Sequence, residues 1–357
     1  MAPKVTIRYM VTNLNLPFSL ILPDKFNYMN RLPDKDTIFH IKDQETFVRL
    51  ALEVFAYQYH HNKVYRMFCD ALKRDPKSVK CLSKIPFLPV SFFQSHKVVS
   101  FDGDGQITFT SSGTTGSVPA KHYVSNLGLY EMSFKKGFEH FYGAPHQYAI
   151  VALLPGYLER SGSSLIYMMN HLIKESGQPE SGFYLNNLQK LAETLEYLHA
   201  SSKKILLVGV SFALLDLAER FPVKIPNAII METGGMKGRR RELVREELHD
   251  TLKAAFGVET IHSEYGMTEL LSQAYSKGQG IFEVPSWMKV IISDVNDPLS
   301  LSGYGKTGGI NIIDLANLHS CSFIATQDLG RVFPDNTFEV LGRFDYSAVR
   351  GCNLMVE

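Results

Sequence analysis

Several segments of the chain carry apolar residues at helical spacing. Residues 43–72, DQETFVRLALEVFAYQYHHNKVYRMFCDAL, predict a helix or a helix pair, and Asp43 and Glu45 near its start suit a helix N-terminus. Another helix is predicted after residue 126, where apolar residues share one helical face: Leu127, Tyr130, Phe134, Phe138 and Phe141. Four more are predicted at 163–177, 186–201, 211–221 and 239–257, the first and last closed by the capping glycines Gly177 and Gly257.

Short apolar runs alternate with these helices and predict strands. The runs are QYAIVALLP at 147–155, KKILLVGV at 203–210, NAIIMETGG at 227–235 and VETIHSEYG at 258–266. Strands separated by such helices imply right-handed crossovers and a mainly parallel sheet with helices on both faces, that is, an α/β fold. From Ile281 the pattern changes to short β-like pieces with Gly, Pro and Asp turns, which predicts a small β subdomain over about residues 281–345.

Composition and charge narrow the class of protein. A chain of 357 residues with 45% hydrophobic and 20% charged residues fits a soluble globular protein of one large domain or about two. The formal charge of +1 argues against nucleic acid or an anionic membrane as the principal partner, and no stretch approaches the roughly 20 apolar residues that span a bilayer. Four cysteines without close pairing or zinc-type spacing indicate a reducing cytoplasm: Cys69, Cys81, Cys321 and Cys352.

The loop TSSGTTGSVPAK at 110–121 is the first candidate for chemistry. Its serines, threonines and glycines can present several backbone N–H groups and hydroxyls to one anion, and Lys121 adds a positive charge. Taken alone, the loop is more simply a polar hairpin or strand-to-helix turn, and it is not a Walker A motif. Because ligands of parallel sheets bind at the carboxyl ends of strands, we expect this loop, METGG and SEYGMTE to lie at such ends.

Four motifs together resemble those of the adenylate-forming enzymes. The loop at 110–121 resembles their phosphate-binding signature, with one residue more than usual before the lysine, and EYGMTE at 264–269 resembles their Tyr-Gly-x-Thr-Glu signature. TQDLG at 326–330 is similar to the segment whose aspartate holds the ribose, and GRFDYS at 342–347 to their Gly-Arg-x-Asp hinge. The four occur in the order found in that superfamily and extend over about two thirds of the chain.

The resemblance implies that ATP and Mg²⁺ are used to convert a carboxylic acid into an acyl-adenylate. A carboxylate is a poor electrophile, and AMP joined to it as a mixed anhydride is a good leaving group. By the resemblance, Glu269 helps to bind Mg²⁺, Thr268 and Tyr265 approach the α-phosphate and adenine within a segment that includes Gly266 and Met267, and Asp328 and Arg343 hold the ribose. Gly234 and Gly235 resemble the adenine-side glycines. The pyrophosphate would be held by the loop residues Ser111, Ser112, Gly113, Thr114, Thr115, Gly116 and Lys121.

The C-terminal segment VRGCNLMVE at 349–357 adds a candidate nucleophile. Cys352 follows Arg350, and a nearby guanidinium lowers the pKa of a thiol, whereas Cys69 and Cys81 have the surroundings of small buried hydrophobes. Together with YQ at 57–58, IPFLPVSFF at 85–93 and LLPGYLERSGSSLIYM at 153–168, this segment resembles the acyl-protein synthetase family typified by the LuxE subunit of the fatty acid reductase of luminous bacteria. Members activate a fatty acid with ATP, take the acyl group onto a cysteine near the C-terminus and pass it to a partner reductase.

This resemblance sets the expected organisation of the chain and leaves three functions open. We expect an N-terminal extension of unclear role at 1–42, the large N-terminal domain of an adenylate-forming enzyme at 43–345, and an arm at 346–357 that carries Cys352, with the C-terminal lid domain absent. The first function is an acyl-protein synthetase that uses Cys352 and serves an acyl-accepting reductase or carrier protein. The second is a phenylacetate-type acyl- or aryl-coenzyme A ligase, and the third is a nucleotide-binding subunit without chemistry. Residues 157–169 offer apolar and small side chains for an acyl tunnel, although most such residues are simply core.

Overall fold

The computed structural model describes residues 32–111, 118–154, 162–234 and 243–344, which form a mixed α/β fold. The described residues contain α1 (Lys35–Ile38), α2 (Gln44–His61), α3 (Lys63–Ala71), α4 (Phe92–Ser95), α5 (Leu127–Tyr142), α6 (Ser164–Ser176), α7 (Leu188–Ala200), α8 (Ser211–Arg220) and α9 (Arg245–Phe256). Their strands are β1 (Leu88–Pro89), β2 (Ile107–Thr110), β3 (Lys121–Val124), β4 (Ala149–Leu153), β5 (Gly182–Phe183), β6 (Ile205–Val210), β7 (Ile229–Thr233), β8 (His262–Tyr265), β9 (Ala274–Ser276), β10 (Ile281–Phe282), β11 (Met288–Ser293), β12 (Gly308–Asp314), β13 (Phe323–Val332) and β14 (Phe338–Arg343).

One six-stranded sheet has the order β5-β4-β6-β7-β8-β9. Its pairings from β5 to β8 are parallel, and β9 is antiparallel to β8. Strands β4 and β6 are buried at every residue, as continuous apolar runs in parallel sheets are. Because β6, β7 and β8 run the same way, their carboxyl ends share one edge of the sheet, where Val210, Thr233 and Glu264 lie side by side.

Helices cover both faces of this sheet. Successive residues of a strand point to opposite faces, so Met231 and Glu232 of β7 face different helices. Glu232 faces α8 and α9, because it accepts a hydrogen bond from Ser211 and lies 3.9 Å from His249 Nε2. The predicted helix ends are confirmed at α6 and α9, where Gly177 and Gly257 adopt left-handed conformations, with φ of 64° and 72°.

A second six-stranded sheet is formed mainly by the last strands. The strands β10-β14-β13-β12-β11 pair antiparallel in this order, and β1 adds to β13 in parallel. The β-rich segment predicted after Ile281 therefore builds one sheet together with two residues from the N-terminal part of the chain.

The loop at 110–121 does not follow a strand of the parallel sheet. It connects β2 to β3, which form a separate antiparallel hairpin in which Thr110 lies opposite Lys121. The placement predicted for this loop is wrong because an antiparallel partner, β3, follows within the same sequence segment. The hairpin still contacts the chain that precedes α6, since the Thr110 amide donates a hydrogen bond to the Gly162 carbonyl at 2.7 Å.

The core begins before residue 43. Ile38, Phe39 and Ile41 are buried, and the Phe39 ring meets the Trp287 ring edge-on with centroids 4.8 Å apart. These residues, predicted as part of an extension, therefore pack against the same body as the later strands. Among the helices within the described ranges, none is both long and apolar enough to cross a membrane.

Candidate functional site

The predicted site residues fall into two groups in the structure. Seven lie outside the described residues: Ser112, Gly113, Thr114, Thr115, Gly116, Gly235 and Cys352. The others lie on the hairpin, at the carboxyl edge of the parallel sheet and on the second sheet: Ser111, Lys121, Gly234, Tyr265, Gly266, Met267, Thr268, Glu269, Asp328 and Arg343.

Tyr265, Asp328 and Arg343 meet between the two large sheets. Tyr265, the last residue of β8, donates a hydrogen bond from its hydroxyl to Asp328 Oδ2 at 2.8 Å. Arg343 of β14 lies opposite Asp328 of β13, and its Nε is 3.8 Å from Asp328 Oδ1. Burial raises the pKa of Asp328, and the Tyr265 hydrogen bond and the Arg343 charge act in the opposite direction. A carboxylate is thus held in a fixed orientation beside a guanidinium that is largely exposed.

Glu269 is a buried carboxyl group at the same edge. The residue is 6% exposed, and burial raises the pKa of its carboxyl group to about 7, while the charge of Arg343 opposes this change. The peptide carbonyl of Glu269 accepts a hydrogen bond from Asn317 Nδ2 at 2.7 Å, which fixes the backbone at this position.

Glu269 offers one buried carboxyl group to an ion. Within the described ranges no group of three or more His, Cys, Asp or Glu side chains is arranged to hold a metal ion. Mg²⁺ is commonly bound by one or two carboxylates together with phosphate oxygens of a bound nucleotide. A single buried carboxylate is therefore compatible with Mg²⁺ that arrives with a nucleotide.

Glu264 is a second buried carboxyl group and was not predicted as a site residue. It accepts a hydrogen bond on Oε2 from Thr233 Oγ1 across the β7–β8 pair. Burial raises its pKa to about 7, and the hydrogen bond from Thr233 opposes this change. A Cβ atom at residue 266 would overlap Glu264 Oε1, so a side chain at this position would displace the Glu264 carboxyl group.

His122 was also missed by the sequence analysis. It follows Lys121 on β3 and is buried; its Nδ1 lies 2.8 Å from the Thr268 carbonyl and its Nε2 2.9 Å from Ser320 Oγ. Burial lowers the pKa of His122 to about 4, so the ring is neutral near pH 7 and donates from Nδ1 to the carbonyl. This ring connects the strand that carries the exposed Lys121 with the EYGMTE segment.

A buried polar network fixes the backbone directly after the EYGMTE segment. The Asp314 carboxylate accepts hydrogen bonds from the amides of Leu271, Ser272 and Ala316 and from the Ser272 hydroxyl at 2.6–3.0 Å. Burial raises the pKa of Asp314 to about 6, and these four donors act against that increase. An acidic residue at the end of an apolar strand is the sequence signal that could have identified it.

Gln58 of α2 holds the neighbouring loop. Its Nε2 donates to the carbonyls of Asn317 and Leu318 and to Ser322 Oγ at 2.9–3.1 Å, and its Oε1 accepts from the Ser322 amide. Gln58, part of the YQ dipeptide, therefore acts through Asn317 on the backbone of Glu269.

Two cysteines outside the site have the surroundings expected of them. Cys69 and Cys81 are buried as predicted, and His262 is packed, with its Nδ1 3.2 Å from the Tyr142 hydroxyl. The GVSFA segment, which lacks the second glycine of a hydrolase elbow, places Ser211 in a hydrogen bond to the Gly234 carbonyl at 2.7 Å.

Comparisons with known proteins agree with this geometry. A family model described as "Acyl-protein synthetase, LuxE" matches residues 36–357. The long-chain-fatty-acid–luciferin-component ligase of Vibrio harveyi is 26% identical over 333 residues, which cover 86% of each chain.

Solved structures of other proteins share the fold. An open conformation of 2-hydroxyisobutyryl-CoA ligase with 2-HIB-AMP and CoA matches with a TM-score of 0.59 at 12% identity, over 85% of this chain and 70% of that one. ATP-bound MatB from Rhodopseudomonas palustris matches with a TM-score of 0.50 at 16% identity, over 68% of this chain and 49% of its own. This chain thus aligns with about half the length of MatB. At these identities the likeness establishes the fold alone.

Proposed function

Since the chain belongs to the acyl-protein synthetase family of LuxE, we propose that it activates a long-chain fatty acid with ATP and transfers the acyl group to a protein cysteine, its own Cys352, for delivery to a partner protein. The hydrogen bond between Tyr265 and Asp328 is the observation that carries the proposal, because it joins two of the four motifs, 63 residues apart, at one edge of the fold. The name of the Vibrio harveyi relative, a ligase of long-chain fatty acids, supports the choice of acid.

ATP would bind along the carboxyl edge of the parallel sheet. Gly234 and Tyr265 would flank the adenine, and Asp328 would accept hydrogen bonds from the ribose hydroxyls, with Arg343 beside it. The loop from Ser111 to Gly116, together with Lys121, would hold the β- and γ-phosphates with amides, hydroxyls and one positive charge. Glu269 would hold Mg²⁺, which supplies positive charge to the phosphate oxygens.

Adenylation is then an exchange of bonds at the α-phosphorus. One oxygen of the fatty acid carboxylate bonds to this phosphorus, and the bond between it and pyrophosphate breaks. Thr268 and Tyr265 position the α-phosphate, while Lys121 and the loop stabilise the negative charge that develops on pyrophosphate. His122 contributes by fixing the carbonyl of Thr268.

The second half-reaction moves the acyl group to sulfur. The Cys352 thiol loses its proton to solvent, and the nearby Arg350 favours the thiolate. The sulfur bonds to the carbonyl carbon of the acyl-adenylate, the bond from that carbon to the AMP oxygen breaks, and AMP leaves.

The two half-reactions provide the test. We expect Cys352→Ala to retain acid-dependent ATP–pyrophosphate exchange and to lose labelling by radioactive fatty acid, because only the second step needs the thiol. Lys121→Ala should slow both measurements by about 100-fold, because a lost transition-state contact costs about 3 kcal/mol. Cys81→Ala is the matched control for a buried cysteine and should be labelled like the wild type.

Three results would contradict the proposal. Labelling of Cys352→Ala equal to that of the wild type would remove Cys352 from the mechanism. Rapid formation of acyl-coenzyme A by a chain that is never itself labelled would favour the coenzyme A ligase instead. Absence of exchange with every acid tested would favour the third function, a nucleotide-binding subunit without chemistry.

A further inference from the structure

The first residue of helix α8 holds a backbone carbonyl at the candidate nucleotide site. Ser211 follows β6 directly, and its hydroxyl donates a hydrogen bond to the Gly234 carbonyl at 2.7 Å. Ser211 is buried, with 3% exposure, whereas Gly234 is exposed to solvent. The contact therefore reaches from inside the domain to the backbone of a surface turn.

Gly234 lies where a bound nucleotide would contact the parallel sheet. Thr233 of β7 is paired with Glu264 of β8, and Gly234 and Tyr265 each follow that pair by one residue. Neighbouring strands lie about 4.8 Å apart, so Gly234 stands beside the tyrosine whose hydroxyl bonds Asp328. The carbonyl of Gly234 thus belongs to the edge proposed for the adenine.

The direction of this carbonyl needs an external constraint. Gly234 has a φ of 64° and is followed in the sequence by a second glycine. Glycines accept a wide range of backbone dihedral angles, so a peptide group between two of them has little intrinsic preference for one direction. The Ser211 hydroxyl is a fixed donor, because it stands on a ten-residue helix. It therefore sets the direction in which the carbonyl oxygen points.

Ser211 uses only part of the hydrogen-bonding capacity of this carbonyl. A carbonyl oxygen has two lone pairs, so one remains for a ligand. The exocyclic amino group of adenine is a donor, whereas guanine and hypoxanthine carry at the same position an oxygen, which only accepts. Two acceptors facing each other would both lack a donor, and such a mismatch is costly. A fixed carbonyl therefore distinguishes the two kinds of purine.

The Ser211 hydroxyl has a second acceptor within reach, the Glu232 carboxylate. Glu232 Oε2 lies 3.2 Å from Ser211 Oγ, whereas the Gly234 oxygen lies at 2.7 Å. A serine hydroxyl carries one proton and donates fully to one acceptor only. The shorter distance favours the carbonyl, and the carboxylate competes with it for the proton.

We propose that Ser211 is a positioning residue for selection of the purine. It holds the Gly234 carbonyl so that this oxygen accepts a hydrogen bond from the amino group of adenine. The proposal rests on the proposed function and names the residue that enforces its use of ATP over purine nucleotides with an oxygen at that position. Ser211 acts through the carbonyl and does not itself contact the nucleotide.

Three nucleotides that differ at one position of the base test the proposal on the full chain. Acid-dependent pyrophosphate exchange is measured with ATP, with purine riboside triphosphate, which has hydrogen in place of the amino group, and with ITP, which has oxygen there. For the wild type, kcat/KM with ATP should exceed that with purine riboside triphosphate by about 10-fold, the effect of one hydrogen bond. It should exceed that with ITP by about 10- to 100-fold, because ITP also sets an acceptor against the carbonyl.

Variants of Ser211 locate the preference. Ser211→Ala should lower kcat/KM with ATP by about 10-fold and that with purine riboside triphosphate by less than about twofold, so that their ratio falls towards one. A purely structural defect would lower both values equally. Ser211→Thr retains a hydroxyl and should keep most of the ratio. Ser211→Cys, a weak donor of similar size, gives the same comparison if the alanine variant does not fold.

Glu232→Gln tests the competition for the hydroxyl proton. Its amide can donate to the Ser211 oxygen while the hydroxyl proton stays on the Gly234 carbonyl, so the ratio between ATP and purine riboside triphosphate should be at least that of the wild type. A ratio near one in Glu232→Gln would show that the carboxylate, and not the hydroxyl, sets the preference, and would overturn the assignment to Ser211.

Ser176→Ala is the matched control. Ser176 is equally buried, and its hydroxyl donates to a backbone carbonyl, that of Tyr148, at the same distance of 2.7 Å. Tyr148 directly precedes β4, so this contact lies at the amino edge of the parallel sheet, away from the nucleotide site. Loss of this hydroxyl should leave the ratio between ATP and purine riboside triphosphate at the wild-type value.

The outcomes separate this inference from the proposed function. Exchange that is equally fast with all three nucleotides, or a wild-type ratio in Ser211→Ala, would overturn the inference and leave the function intact. If no acid supports exchange, the function fails, and calorimetric binding of the same nucleotides with Mg²⁺ decides the inference. A preference for ATP that Ser211→Ala removes would support it, and equal binding of all three, or no binding, would overturn it.

Discussion

At the scale of single residues, the neutral imidazole of His122 joins parts of the chain that are far apart in sequence. Its two ring nitrogens contact Thr268 and Ser320, 146 and 198 residues away, and its ring meets Phe93 edge-on. Protonation would place a charge in this enclosed position and remove the acceptor nitrogen that faces Ser320. The fold therefore favours the uncharged ring.

This preference predicts a pH dependence of stability. The pKa of His122 is lowered to about 4 in the folded chain from 6.5, so its contribution to stability is present above pH 6.5 and is lost as pH falls from 6.5 towards 4. Across that interval, the free energy of unfolding of the wild type should fall more steeply than that of His122→Asn, by up to about 1.4 kcal/mol per pH unit. Urea unfolding at a series of pH values measures both slopes.

The control for this experiment is His146→Asn, which changes an exposed histidine. Its stability should follow the wild type at every pH. Parallel curves for His122→Asn and the wild type would contradict the assignment of a buried neutral ring.

The residues of the site differ in how far the sequence could reveal them. Tyr265, Glu269, Asp328 and Arg343 stand in short motifs, and the structure brings Tyr265, Asp328 and Arg343 into contact. The roles of His122 and Glu264 depend on contacts that only the folded chain creates. The sequence around His122, in a four-residue strand, contains no pattern that indicates a hydrogen-bonding partner 146 residues away.

At the scale of elements, helix α2 supports the site through the loop at 315–322, which connects β12 to β13 in the second sheet. Its buried Gln58 makes four hydrogen bonds to residues 317–322, and Asn317 in turn holds the carbonyl of Glu269. The helix thus stabilises the position of a carboxylate that it does not touch.

Removing the side-chain amide of Gln58 should reduce both the stability of the fold and the rate of the reaction. Gln58→Leu leaves buried carbonyls and an amide without partners, so the free energy of unfolding should fall by about 2–4 kcal/mol. The rate of acid-dependent exchange should fall as well, because Glu269 loses its backbone support. Denaturant unfolding and exchange kinetics at a temperature where the variant remains folded measure the two effects.

Gln94→Leu on α4 is the matched control, since that glutamine is exposed. It should change stability by less than about 0.5 kcal/mol. A Gln58→Leu chain as stable as this control would show that the four hydrogen bonds contribute nothing measurable.

Elements with strong periodicity could be predicted, and short ones could not. Helices α5, α6 and α7 lie within a few residues of their predicted bounds, because each has an apolar face and a clear start or end. The hairpin of β2 and β3 was placed wrongly because strands of four residues carry too few positions to show which sheet they join. Pairing of β1 with β13 depends on residues 236 positions apart, as Leu88 and Ile324 are, and has no local signal.

At the scale of the whole molecule, the candidate nucleotide site is shared between two sheets. Tyr265 belongs to the parallel sheet, and Asp328 and Arg343 belong to the mainly antiparallel one. A nucleotide that contacts all three would hold the sheets together, and its binding free energy would add to the stability of the folded state.

Hydrogen exchange should therefore show ATP acting on both sheets. With saturating ATP and Mg²⁺, amides of β8 and of β13 should gain protection together, and Asp328→Ala should lose most of this gain at the same ATP concentration. Asp335→Ala, at an exposed turn of the same sheet, is the control and should respond like the wild type. Protection confined to one sheet would contradict a site shared between them.

The contact of Gln58 with Asn317 has a consequence for how the chain is made. The two residues are 259 positions apart in sequence, and β1 pairs with β13 across a similar sequence separation. During synthesis, which proceeds at roughly 5–20 residues per second, α2 therefore leaves the ribosome well before its buried amide can find its partners. The first half of the nascent chain must keep an apolar helix surface and a glutamine uncovered until the last strands emerge. Chaperone binding would matter most during this interval. In a chain truncated before Asn317, the helix surface and the glutamine would stay uncovered.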